Sequence, residues 1–223
     1  MLDLKGYKGF CFLFQDASNE FRKVYPYITV NDIPTTRVRH NELSPEGYIP
    51  IGSVEWAQSH FTENIKSNHY PEWLKDYLYR NIWESKEWIL GKKLFVKPSD
   101  KEKRFTGFVT TGTYKKKKKP PFYYSDIVTF VNEWRYYISG GKVLEGCWYW
   151  GDEVNTPEAP ELKINIPEDF YGTLDFGILS TGEFALVEAH NPYSCGYYGK
   201  DAEKFLQWTI DGWEYLSNKY KKN

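Results

Sequence analysis

The stretch TLDFGILSTGEFALVEAHN, Thr173 to Asn191, sets two carboxylates, Asp175 and Glu188, into otherwise apolar runs. Thr181-Gly182 between the runs has the composition of a two-residue hairpin loop. With that loop Ser180 pairs with Glu183, every pair of indices sums to 363, and Asp175 lies opposite Glu188 on one face. Cross-strand partners are ~5 Å apart at Cβ, and like charges there repel. Either the pair is exposed and solvated, or something positive sits between the two.

Lys97, in LFVKPSD, shares a strand face with Phe95 and precedes Pro98. An ammonium in that place can hold a phosphate as a point charge, or simply snorkel to water. Glu133 and Arg135, in VTFVNEWRYYI, are two apart and share a face of a β-like run. They form either a surface ion pair worth ~0–1 kcal/mol, or a carboxylate for a sugar hydroxyl beside a guanidinium for a phosphate. Asp126 lies seven residues before Glu133, while Lys103 in DKEKRFTG carries little signal alone. The run Lys115 to Lys119 reads first as a solvated loop, because charges so dense repel. Its alternative is a basic loop near a polyphosphate, or near nucleic acid if the many aromatics stack on bases.

Strands are expected at residues 7–14, at YITVN near residue 30, within SPEGYIPIGSVEW and at GKKLFVK. In PEWLKDYLYRNIW, Trp73, Leu74, Tyr77, Leu78 and Ile82 recur at helical spacing, with Pro71 suited to a first turn. RFTGFVTTGTY and PPFYYSDIVTFV read as strands, and EWRYYISGGKVLEGCWYW as a hairpin around Gly140-Gly141. DAEKFLQWTIDGWEYLSNKY reads as an amphipathic helix burying Phe205, Leu206, Trp208, Thr209, Trp213 and Leu216. Antiparallel strands with a few helices make the class α+β, with a boundary near residue 90.

The 223 residues allow a sizeable core, and a net charge of −1 with pI near 6.5 argues against a bulk nucleic-acid binder. Aromatics at 19% exclude a disordered chain. Cys11, Cys147 and Cys195 are widely spaced and match no zinc or disulfide pattern, which fits reduced thiols in the cytoplasm. No run approaches the ~18 apolar residues of a membrane span.

FVKPS, KRFTG, SDIVTF, NEWR, TLDFG, VEAHN and GYYG follow one another in an order that resembles the ATP-grasp fold. The likeness is to its compact phage and bacterial branch, the clade named for one arginine and two lysines. The resemblance implies an α+β fold of two subdomains sandwiching ATP, with residues 1–90 a reduced N-terminal domain and 91–223 the core. It implies Lys97 and Lys103 on ATP phosphates, and Asp126, Ile127 and Val128 as the hinge that reads adenine. Glu133 would take the ribose and Arg135 the transferred phosphoryl group, with Arg135 and Lys103 as the catalytic pair. Asp175 and Glu188 would bridge Mg2+, with His190 or Asn191 in the place of the family's last ligand. His190 departs from the family's E-x-N, and imidazole suits magnesium less well than an amide oxygen. The implied activity is ADP-forming ligation of a carboxylate, on a small molecule or a peptide or protein end, to an amine through an acyl phosphate. The cellular setting would be the cytoplasm, that of the host if the chain is phage-encoded, with no membrane or nucleic-acid partner. The rival readings are a degenerate ATP-grasp protein that binds nucleotide without ligating, and a nucleic-acid-binding module.

Overall fold

The structure is a computed structural model that describes residues 2–14, 19–63, 65–99, 105–112, 118–152, 157–193 and 195–220. Among the described residues the strands form three sheets. In the first, β1 (Gly9–Leu13) lies between β2 (Thr35–Val38) and β3 (Tyr48–Ile51), with both pairings parallel. All five residues of β1 are buried, as a central parallel strand covered on both faces requires. The β1–β2 crossover is α1 (Asn19–Val30), so YITV near residue 30 is helical and not the strand its β-branched residues imply. Burial decides it: Val24 and Ile28, one helical turn apart, are 0% and 2% exposed in the core that α3 also covers. A short α2 (Val54–Gln58) follows β3 and is capped by Ser53, whose Oγ accepts from the Trp56 amide.

PEWLKDYLYRNIW divides. Glu72–Tyr77 forms a 3-10 turn that buries Leu74, and Ile82 begins β4 (Ile82–Ser85). The helical spacing over Trp73 to Ile82 therefore spans two elements, separated by Tyr79 at φ +49°.

The second sheet has the order β4, β7 (Phe122–Ser125), β5 (Phe95–Pro98), β6 (Phe108–Val109), all antiparallel. Its core is Leu94, Val96, Phe122 and Tyr124. The third has the order β11 (Phe184–His190), β10 (Gly172–Leu179), β8 (Phe130–Ser139), β9 (Lys142–Gly151), again antiparallel. The β8–β9 hairpin turns at Gly140-Gly141 as its sequence implies, with Ser139 opposite Lys142. One face of this sheet buries Trp134, Tyr136, Ile138, Leu174, Phe176 and Leu186. α3 (Ala202–Tyr220) buries all six residues expected of it, and its Trp208 indole donates to the Gly172 carbonyl at 2.8 Å. No described helix is long and apolar enough to cross a membrane.

The candidate active site

The alternation of β8, β10 and β11 puts one set of residues into the apolar core and the other onto the opposite face. Across that second face Cys147, Arg135, Asp175 and Glu188 are successive partners on β9, β8, β10 and β11. Asp175 thus faces Glu188, but the route there differs from a two-residue loop. Leu179 pairs with Glu183 around a three-residue loop at 180–182, with Gly182 at φ +104°. Val187 is then an extra residue, a bulge between Phe176–Leu186 and Asp175–Glu188 that restores the register. Arg80 stabilises the bulge, donating to the carbonyls of Leu186 at 2.8 Å and Val187 at 3.0 Å. No local signal in the sequence marks Arg80 for this part.

Asp175 is 1% exposed and Arg135 8%. The guanidinium grips the carboxylate at two points, Nε to Oδ1 at 2.8 Å and Nη2 to Oδ2 at 2.7 Å, and its Nη1 donates to the Gly196 carbonyl. Burial alone would raise the Asp175 pKa, but Arg135 and then His190 bring it below the usual carboxylate range. Glu188 meets a cation from another sheet: Lys97 on β5 places Nζ 2.5 Å from its Oε2. His190 Nε2 lies 2.9 Å from the other oxygen of Glu188 and 3.7 Å from Asp175 Oδ2. Burial opposes a charge on His190, yet Glu188 and Asp175 push its pKa up to about 10, so it is cationic at neutral pH. The positive groups around the facing carboxylates are therefore side chains of the chain itself: Arg135, Lys97 and His190.

Glu133, two residues before Arg135, is held by the Tyr149 hydroxyl, and burial raises its pKa. Its strand partner is Gly177, where a Cβ would come within 3.1 Å of Glu133 Cγ and 2.6 Å of the Asn132 carbonyl. The missing side chain gives the carboxylate its room.

Asp126 directly follows β7, where its Oδ2 accepts from the Asn81 amide side chain at 2.6 Å and its Oδ1 lies 3.4 Å from Lys92 Nζ. Residues 126–129 are the connection from the second sheet to the third. Among the described residues Ile127 and Val128 form no backbone–backbone bond there. Asn191 donates its amide to Ser67 Oγ at 3.1 Å, so His190, not Asn191, sits between the carboxylates. Lys103 lies outside the described residues, as do Lys115 to Lys117; Lys118 stands over the Phe105 ring.

His69 carries no motif in the sequence, yet it belongs to this cluster. Its backbone carbonyl accepts from the Ala189 amide at 2.9 Å, and its Nδ1 is 3.0 Å from the Ala189 carbonyl. Burial first, and then Lys97, lower its pKa to about 3, so it stays neutral.

Residues 77–208 match an ATP-grasp domain family, the second of the clade named for one arginine and two lysines. The chain belongs to that clade of ATP-grasp proteins. The ATP-grasp core so matched begins before β4 and ends within α3, and so takes in the second and third sheets whole. Solved structures with similarity to this ATP-grasp chain include D-alanine–D-alanine ligase from Bacillus anthracis, at 12% identity and TM-score 0.49, covering 94% of this chain and 98% of that one. The same ligase complexed with ATP gives 13% identity and TM-score 0.46, covering 95% and 99%. The ATP-grasp ligase PsnB, complexed with a minimal precursor, gives 8% identity and TM-score 0.43, covering 84% and 91%. No curated protein matches the chain.

Proposed function

We propose that this ATP-grasp protein is an ADP-forming ligase that activates a carboxylate as an acyl phosphate and passes it to an amine. The observation that carries the reading is the Lys97–Glu188 pair. It joins the second and third sheets at one point, where Glu133, Arg135, Asp175 and His190 also converge. A phosphate-binding lysine, a ribose-binding carboxylate and a phosphoryl-binding arginine on rigid strands supply the positioning and charge neutralisation that phosphoryl transfer demands.

ATP would lie between the two sheets, its adenine against the backbone of Ile127 and Val128, with Asp126 holding the hinge to Asn81 and Lys92. Glu133 would accept from the ribose hydroxyls, and Lys97, with Lys103, would turn to the phosphates. The carboxylate oxygens of Asp175 and Glu188 are hard donors of the kind Mg2+ takes, and one oxygen of each would be drawn away from Arg135 and Lys97 to the ion. The ion, when bound, neutralises phosphate charge. A substrate carboxylate oxygen attacks the γ-phosphorus, the bond to the β–γ bridging oxygen breaks, and ADP leaves. Arg135 holds the charge on the moving phosphoryl group. The amine nitrogen then attacks the acyl carbon, phosphate departs, and the nitrogen loses a proton.

A cavity of about 250 Å3 lined by Pro50, Gly52, Tyr193, Cys195, Gly196 and Trp213 adjoins Arg135 through the Gly196 carbonyl. Its modest size suits a small acceptor or one chain end. In this reading residues 1–90 serve as a reduced N-terminal domain and 91–223 as the core, with β4 lent to the core's sheet.

The test is hydroxylamine trapping. With ATP and Mg2+ present, a panel of amino acids and peptide termini is screened for hydroxamate and for carboxylate-dependent ADP. Nucleotide binding with no hydroxamate and no carboxylate-dependent ADP would assign the site to binding alone.

A further inference from the structure

The run GYYG, Gly196 to Gly199, lies against Arg135. The Gly196 carbonyl accepts from the guanidinium and, at 2.6 Å, from the Tyr137 hydroxyl, which itself accepts from the Tyr198 amide at 3.2 Å. Tyr197 is buried and stacks on Phe205 of α3, with ring centroids 4.3 Å apart. Tyr198 is 42% exposed, and its ring centroid is 5.3 Å from the guanidinium carbon of Arg135. One of two neighbouring tyrosines thus anchors the loop, and the other lies at the site.

A second ring meets Arg135 from β9. Glu133 pairs with Trp150 and Trp134 with Trp148, so Tyr149 is an extra residue opposite Glu133. A bulge of this kind re-aims a side chain. Here the Tyr149 hydroxyl donates to the Glu133 carboxylate, while its ring centroid is 5.6 Å from the Arg135 guanidinium carbon. The Tyr149 and Tyr198 rings are 5.1 Å apart and 30° from parallel, one aromatic wall beside the guanidinium. A guanidinium has five N–H donors. Asp175 takes two and Gly196 a third, which among the described residues leaves two for a ligand. The wall uses none of them, because a ring attracts a cation through its π face.

We propose that Tyr149 and Tyr198 are positioning residues that seat Arg135 for the terminal phosphate of ATP, with Tyr149 also orienting Glu133 for the ribose. The inference rests on the nucleotide site of the ligase reading and deepens it. Glu133 and Arg135 are two apart on β8, and Tyr149 contacts both. Its hydroxyl holds one carboxylate oxygen and so fixes the direction of the other. Tyr149 thereby ties the sugar end of the site to its phosphoryl end.

Calorimetry with ATP, ADP and 2′-deoxy-ATP, each with Mg2+, tests this without a ligation substrate. The parent should bind ATP more tightly than either of the others. Tyr149→Phe removes the hydroxyl and keeps the ring. Its preference for ATP over 2′-deoxy-ATP should shrink about fivefold, the weight of one hydrogen bond, while its preference for ATP over ADP stays. Tyr198→Leu removes a ring and should shrink the preference for ATP over ADP about threefold or more, with 2′-deoxy discrimination kept. Tyr198→Phe should match the parent. Tyr149→Phe, the smaller change, decides the matter if Tyr198→Leu does not melt cooperatively. A parent that binds no ATP ends the ligase reading and this inference together. A parent that binds ATP no tighter than the other two overturns the positioning roles alone. So does a Tyr149→Phe or Tyr198→Leu protein that keeps both preferences or weakens all three nucleotides alike.

Discussion

Arg135 and Asp175 are strand partners whose side chains close on each other through two hydrogen bonds at 2.8 and 2.7 Å, both groups nearly sealed from solvent. The facing of Asp175 and Glu188 is consequently not a standing repulsion, because each carboxylate has its own cation.

Asp175→Asn should therefore destabilise the protein, since it leaves the Arg135 charge buried and unmatched. Breaking one side of a buried pair costs ~3–5 kcal/mol. Replacing both partners, as in Arg135→Met with Asp175→Leu, should recover much of the loss. A chemical denaturation series measures it, and an Asp175→Asn protein as stable as the parent would show that the pair contributes nothing.

Lys97→Met removes one of two cations from Glu188 and leaves His190 in place. The stability loss should fall below the ~3–5 kcal/mol of a fully orphaned buried charge. Affinity for Mg-ATP should drop by about tenfold or more, the weight of one charge-assisted contact. Calorimetry with Mg-ATP checks this, and unchanged affinity removes Lys97 from the nucleotide site.

Arg80→Lys keeps a charge but cannot reach both the Leu186 and Val187 carbonyls in the same plane. It should loosen the bulge and cost ~1–3 kcal/mol for the bulge carbonyl left without its donor. Amide exchange should quicken at β11 while β8 and β9 stay protected. Uniform exchange across the sheet would count against this role.

The two histidines give stability opposite slopes on either side of neutrality. His190 has a folded pKa of about 10, above its unfolded value, so its contribution is complete below ~6.5 and fades as pH rises toward 10. His69 has a folded pKa of about 3, below its unfolded value, so its contribution is complete above ~6.5 and fades as pH falls toward 3. In chelator-treated buffer the melting temperature should peak near pH ~6.5. His190→Asn should flatten the alkaline limb and His69→Gln the acid limb. A parent profile that is level from pH 7 to 10 would contradict the charged state of His190.

Much of the site's frame could be read from residue order, because strand alternation is a local property. The β8–β9 turn, the buried face of α3 and the shared face of Glu133 and Arg135 all follow from period and turn chemistry. The facing of Asp175 and Glu188 was legible only through two compensating departures, a loop one residue longer and a bulge at Val187. Arg80 stabilises that bulge from 107 positions away, and nothing near either residue announces it. His69 was invisible for the same reason, its partners being Glu188 and Ala189. The YITV helix was missed because burial of Val24 and Ile28 outweighs the local preference of β-branched residues.

The Lys97–Glu188 contact has a thermodynamic corollary once the proposed ligands are considered together. Lys97 and an incoming cation compete for one carboxylate, while a polyphosphate competes with that carboxylate for Lys97. A nucleotide that draws the ammonium away frees Glu188 for the ion, and an ion that takes Glu188 frees the ammonium for the nucleotide. Under the proposed function occupancy of the two would be positively cooperative, and by reciprocity each would raise the other's affinity by the same factor.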